Sequence, residues 1–106
     1  MAKFLFTGSY TVEGGRGILA EGGSSRRGAV DKLAASVGGS VESFHFAFGG
    51  DDFFIISDLP DNAAAAALAL TVSASGAVNV RTVVLMTPEE IDTATKLSPA
   101  YRAPGR

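Results

Sequence analysis

The segment Phe44–Ile56 limits what this chain can fold into more than any other stretch. Phe44-His45-Phe46-Ala47-Phe48 and Phe53-Phe54-Ile55-Ile56 are apolar runs of strand length, separated by Gly49-Gly50-Asp51-Asp52. Aromatic and β-branched residues suit a pleated, half-buried surface. The two glycines tolerate positive φ and the aspartates suit turn positions, so the four residues read as a tight hairpin turn. The expected strands are Val41–Phe48 and Phe53–Leu59.

The flanking segments place this hairpin in the middle of a longer pattern. Lys3–Tyr10, with Phe4, Leu5, Phe6 and Tyr10, reads as a first strand carrying large residues on both faces. Gly14–Gly23 is rich in glycine, which opposes a long helix and leaves room for one turn around Ile18-Leu19-Ala20. A helix capped by Ser24 or Ser25 then follows. Its apolar positions Ala29, Val30, Leu33, Ala34 and Val37 recur at helical spacing, and Gly38-Gly39 supplies a left-handed stop. Beyond the hairpin, Pro60 holds Leu59 extended. Asp61 caps an alanine-rich helix over about 62–73, and Gly76 ends the crossover before a fourth strand, Val78–Met86. Thr87-Pro88-Glu89-Glu90 is a capping box with proline at the first helical position, so a short helix to about Lys96 is expected.

The order β-α-β-β-α-β defines an α+β, ferredoxin-like domain with a four-stranded antiparallel sheet. Residues 1–97 form the expected single domain, and 98–106 a tail or inter-subunit arm. Phe44, Phe46 and Phe48 share one face of their strand, while Phe53 and Ile55 oppose Phe54 and Ile56 on the next. A sheet apolar on both faces needs a second cover, and face-to-face pairing of two copies into a dimeric α/β barrel supplies it.

The chain has 106 residues, an apolar fraction of 46% and a net charge of −2. One core is the expectation and global disorder is not. No basic stripe marks a nucleic-acid surface; Arg26-Arg27, Arg102 and Arg106 read as solvated charges. Cysteine is absent, which excludes disulfides, thiolate metal sites and a cysteine nucleophile. No apolar run approaches the roughly 18 residues of a membrane span. Met1-Ala2-Lys3 leads straight into a strand-like run, so a cytoplasmic protein without membrane association is expected.

Several residues carry chemistry worth weighing. Gly15-Arg16-Gly17-Ile18-Leu19-Ala20 matches a dinucleotide fingerprint on paper. It lacks the strand immediately before it and the long helix after it, so a flexible loop beside a pocket mouth is the expected reading. His45 is the sole histidine, which excludes a histidine-cluster metal site. It lies in phase with Val41, Ser43 and Ala47, opposite the phenylalanines. There it is either a general acid or base in a sheet-lined cavity or a half-buried histidine satisfied by a carbonyl or water. Asp51 and Asp52 serve as turn caps or as a close carboxylate pair with one raised pKa. Further oxygen ligands for a cation are not identifiable, so no metal and no cofactor are expected. Arg81, inside an apolar fourth strand, calls for a carboxylate partner, Asp58 or Asp52, or for an anionic ligand. Tyr10 offers its hydroxyl to the same pocket or to an interface. No serine or threonine stands in a nucleophile elbow.

These features together resemble the GYD-domain family, small domains of the dimeric α/β-barrel type. The resemblance covers roughly Lys3–Leu97. It rests on the opening strand, Gly17-Ile18, Val37-Gly38-Gly39, the mid-chain turn, Leu59-Pro60-Asp61 and Asn79-Val80-Arg81-Thr82. The family signature resembles Gly-x-Tyr-Asp at the hairpin: Gly49, Gly50 and Asp52 fit, and Asp51 stands where tyrosine is expected. The resemblance implies the fold and the pairing of copies, and no activity.

The expected function is binding of an apolar or aromatic small molecule in a pocket between sheet and helices, with His45, Asp51, Asp52, Arg81 and Tyr10 as its polar groups. One alternative is a cofactor-independent enzyme acting by proton transfer, isomerisation or oxygenation on an aromatic or quinone-like compound. There His45 or Asp52 would be the base, and Arg81 the stabiliser of an oxyanion. The other is a structural oligomerisation module.

Overall fold

The structure is a computed structural model that describes residues 1–106. Its elements are β1 (Ala2–Tyr10), α1 (Val12–Glu21), α2 (Gly23–Ser36), β2 (Ser40–Phe46), β3 (Phe53–Leu59), α3 (Asn62–Ala74), β4 (Val78–Leu85) and α4 (Pro88–Thr95). The four strands form one antiparallel sheet in the order β2-β3-β1-β4. This is the ferredoxin-like arrangement, with α1, α2 and α3 on one face.

Residues directly opposite in an antiparallel pair point to the same side, so the register assigns the faces. Phe6 stands opposite Ile55, and Ile55 opposite Phe44; Phe53 lies between Gly8 and Phe46. These residues face the helices. The core there joins Phe4, Phe6, Phe53, Ile55 and Leu59 to Ala65 and Leu68 of α3 and Val78 of β4. Phe4 and Leu59 are fully buried, which contributes roughly 1.5–3 kcal/mol each from apolar area removed from water. The other face carries Leu5, Thr7, His45, Phe54, Ile56, Arg81 and Val83, and no element of the chain covers it.

Local chemistry explains most boundaries. Asp61 caps α3 by accepting from the Ala64 N–H at 2.9 Å. Thr87 and Glu90 form the reciprocal capping box of α4, with Pro88 at its first position. Gly38, at φ 81°, ends the α2 segment in the left-handed conformation that a side chain would resist.

Four expectations need correction. The glycine-rich stretch is not a loop with one turn: it is α1, ten residues long. Thr11 caps it, accepting from the Gly14 N–H at 3.3 Å and donating to the Gly76 carbonyl at 2.9 Å. Gly14 also lets the helix approach β4, since a Cβ there would fall 2.1 Å from the Ala77 carbonyl oxygen. Tertiary anchoring thus outweighs the propensity cost of about 1 kcal/mol per glycine. Second, neither Ser24 nor Ser25 caps α2. Gly22, at φ 84°, is both the end of α1 and the cap position of α2, and it breaks what would be one helix into two.

Third, the hairpin is not tight. The last strand pair is Phe46 with Phe53, and the loop runs over six residues, 47–52, closed by Ala47 N–H to Asp52 O at 2.8 Å. Gly49 and Gly50 do not take positive φ, and Phe48 is fully exposed beyond the end of β2. Fourth, a β-bulge lies between Val41 and Ser43. The extra residue, Glu42, shifts the alternation, so Val41 packs on the core while Ser43 and His45 face outward.

The C-terminal part leaves the body. Every residue from Met86 to Arg102 is exposed. The molecule measures 57 × 33 × 23 Å, with a radius of gyration of 17.0 Å. A compact chain of this length would have about 13 Å. No helix is long and apolar enough to cross a membrane.

Candidate functional site

Two places gather polar side chains against apolar surface, one on each side of the sheet. The first is a cavity between the helix-covered face and the helices. α2 and α3 stand apart here, and the space between them is held open by Val30 and Leu33 on one side and Leu68 and Val72 on the other. An inner chamber of about 50 Å³ is lined by hydrophobic residues except for Arg26 and Ser57. An outer chamber of about 390 Å³ shares Tyr10, Arg26, Leu33 and Val72 with it and extends under α1, past Glu13 and Glu21.

Tyr10, at the end of β1, lines both chambers. Its ring leans on Phe53 at 5.3 Å and on Phe46 at 6.4 Å between centroids. Burial pushes the Tyr10 phenol above its ordinary value of 10.0, and the neighbouring Arg26 guanidinium offsets part of that rise. Arg26, in the first turn of α2, forms none of the chain's ion pairs. Its Nε is buried and has no hydrogen-bond partner.

The second place is the open sheet face. Strand register sets His45, Phe54, Thr7 and Arg81 in one row across β2, β3, β1 and β4. At strand spacing this puts the His45 and Arg81 backbones about 14 Å apart. The Asp51 carboxylate descends from the hairpin loop onto the end of the row, where its Oδ2 pairs with Arg81 and accepts from the Thr7 hydroxyl at 2.9 Å. Along the same face, Lys3 bridges Asp58 at 2.8 Å and Glu42 at 2.6 Å. Those hydrogen bonds, Asp58's first, hold the Lys3 ammonium charged beyond its ordinary 10.5.

The partner of Arg81 is therefore neither Asp58 nor Asp52, as the sequence suggested, but Asp51. Asp58 is taken by Lys3. Asp52 turns the other way, accepting from the Tyr10 backbone N–H at 3.0 Å while its own N–H donates to Gly8 O at 2.7 Å. It thereby laces the loop to the end of β1. Of the residues singled out by sequence, Asp51 and Arg81 are brought together, Tyr10 lines the cavity, and His45 stands exposed on the edge strand. Gly15-Arg16-Gly17 lies inside α1, not in a phosphate-binding loop. No three His, Cys, Asp or Glu side chains converge as a metal set would require.

Arg26 was not legible as a site residue. Beside Arg27 it looks like half of a solvated pair, and Arg27 does pair with Asp31 at 3.0 Å one turn on. The available signal was phase: Arg26, Val30 and Leu33 recur at helical spacing on the face that turns inward.

Fold and cavity define a ferredoxin-like α+β domain with an apolar chamber beneath its helices. The family comparison agrees: the model of the GYD domain matches residues 4–95, and the chain belongs to that family. Neither the curated proteins nor the solved structures contain a match to it.

Proposed function

We propose that this chain is a small-molecule-binding domain that holds an apolar ligand between its sheet and helices α2 and α3. The single observation that carries this reading is the inner chamber. It is lined almost wholly by hydrophobic side chains, yet α2 and α3 do not close over it, and interiors otherwise pack to near-crystalline density. A purely structural module would gain contacts by closing that space, which is why binding is favoured over it. The enzyme alternative has less support, since His45, Asp52 and Arg81 do not converge on one point. Asp52 is engaged by backbone, and the row keeps His45 three strands from Arg81.

The same reading includes pairing with a second copy through the open face. One chain leaves two apolar surfaces uncovered: the sheet with Phe54 and Val83, and the segment from α4 into the arm with Ile91, Leu97 and Tyr101. A copy that covers the sheet and receives the arm removes both from water at once.

Titration with benzyl alcohol, followed by methyl NMR, tests the binding reading. Shifts are expected at Leu33, Leu68 and Val72 and are abolished by Ala69→Phe, which fills the chamber. Shifts spread over the surface, or retained in the filled variant, would contradict it. Sedimentation velocity tests the pairing: a dimer is expected, converted to monomer by Phe54→Lys, and a wild-type monomer at micromolar concentration would overturn it.

A further inference from the structure

Arg26 is the one feature of the cavity that apolar ligand binding leaves unexplained. A guanidinium is always charged and carries five N–H donors in a planar fork. Sequestering one of those donors without an acceptor is unfavourable, and folded proteins seldom leave such a group unsatisfied. Here the Nε is buried and has no partner, and Arg26 lines both chambers. No carboxylate of the chain pairs with it, although Asp31, Asp51, Asp58 and Glu42 each find a basic partner elsewhere.

Resting on the cavity reading above, we propose that the ligand is a small monocarboxylic acid with a compact apolar tail. Its carboxylate meets the Arg26 guanidinium, and its tail enters the inner chamber. Arg26 and Tyr10 sit at the junction of the chambers, so a head group placed there has polar partners on one side and hydrocarbon on the other. The carboxylate is planar and matches the guanidinium fork. The Tyr10 phenol oxygen accepts from the Arg26 guanidinium, and its O–H remains to be donated to the carboxylate as a second donor. The inner chamber, at about 50 Å³, suits a short aliphatic tail against Leu33, Leu68 and Ile55.

The charge of the outer chamber narrows the class further. Glu13 and Glu21 line it, so an anion entering past them meets two like charges. A monoanion neutralised by Arg26 tolerates this; a phosphate ester or other polyanion would carry excess charge into their field. The site therefore selects a carboxylate over a phosphate.

The test compares hexanoate with hexanamide, which share a tail and differ in charge, by calorimetry and methyl NMR on the full chain at neutral pH. Hexanoate should bind at least about tenfold more tightly than hexanamide, the scale of one charge-assisted hydrogen bond. In Arg26→Met the preference for hexanoate over hexanamide should vanish. In Ala69→Phe both ligands should be lost, and hexyl phosphate should bind the wild type more weakly than hexanoate. Equal binding of hexanoate and hexanamide to the wild type overturns the carboxylate assignment and leaves the apolar cavity standing. Binding of neither, with no shift at Leu33 or Leu68, overturns both. The wild-type comparison needs no variant, so the outcome does not depend on how well Arg26→Met folds.

Discussion

The Thr7 hydroxyl stands 2.9 Å from Asp51 Oδ2 and 2.8 Å from the Phe53 carbonyl oxygen, joining the hairpin loop to the central strand β1. Thr7 is buried, whereas the Arg81 side chain that pairs with the same Asp51 oxygen is 68% exposed. Burial decides which link matters for stability. Removing the Thr7 hydroxyl takes away the single O–H that the buried Phe53 carbonyl and the Asp51 carboxylate share. Removing Arg81 frees a carboxylate that water reaches. Thr7→Val should cost about 1–2 kcal/mol in urea unfolding. Arg81→Ala should cost less than about 1 kcal/mol, as exposed ion pairs do. Equal losses would mean that the ion pair, not the buried hydroxyl, secures the loop.

Glycine substitutions should split by sign. A Cβ at Gly8 would lie 1.8 Å from the Asn79 carbonyl oxygen, so Gly8→Ala forces β1 and β4 apart and should cost about 3 kcal/mol or more. Gly15 and Gly28 lie within α1 and α2, and a Cβ at either meets nothing within 4 Å. Alanine at each should stabilise by about 0.5–1 kcal/mol through its better helix propensity. Thermal unfolding of the three variants checks both signs. Destabilisation by Gly15→Ala would count against the helical assignment of α1.

This contrast also marks what the sequence could and could not reveal. The bounds of β3, the Asp61 cap and the Thr87–Glu90 capping box were legible because each rests on chemistry within a few residues. Helix α1 was hidden because what holds it, Thr11 against the carbonyls of Gly76 and Ala77, comes from 65 residues along the chain. The outward-facing set of β2 was misread at Val41 because one inserted residue, Glu42, reverses the alternation without leaving a mark in composition. The cavity lies between sheet and helices, with Tyr10 among its lining residues. Its cation was not read, because Arg26 beside Arg27 looks like half of a solvated pair and only its phase with Val30 and Leu33 marks it as the one that turns inward.

Alkaline pH should unfold the protein in part through Tyr10. Burial raises the folded-state pKa of its phenol above 10.0, so the folded state keeps this proton longer than the unfolded chain does. The resulting contribution is fully present below pH 10 and is lost as pH rises through the folded-state value. Lys3 acts in the same direction, because its pKa is also raised, above 10.5. The melting temperature should therefore hold steady through neutral pH and fall above about pH 10. Tyr10→Phe should blunt that fall. The phenolate absorbance difference between wild type and Tyr10→Phe should titrate with a midpoint above 10.0. A midpoint at or below that value would place the Tyr10 hydroxyl in water.

Helices α2 and α3 hold an apolar chamber open above the sheet. Xenon enters such chambers without hydrogen bonds or charge, so it reports the space independently of any ligand chemistry. A crystal of the full chain under xenon pressure should show a xenon site between Leu33, Ile55 and Leu68, absent from Ala69→Phe crystals treated alike. Helices α2 and α3 packed against each other, with no xenon between them, would contradict it.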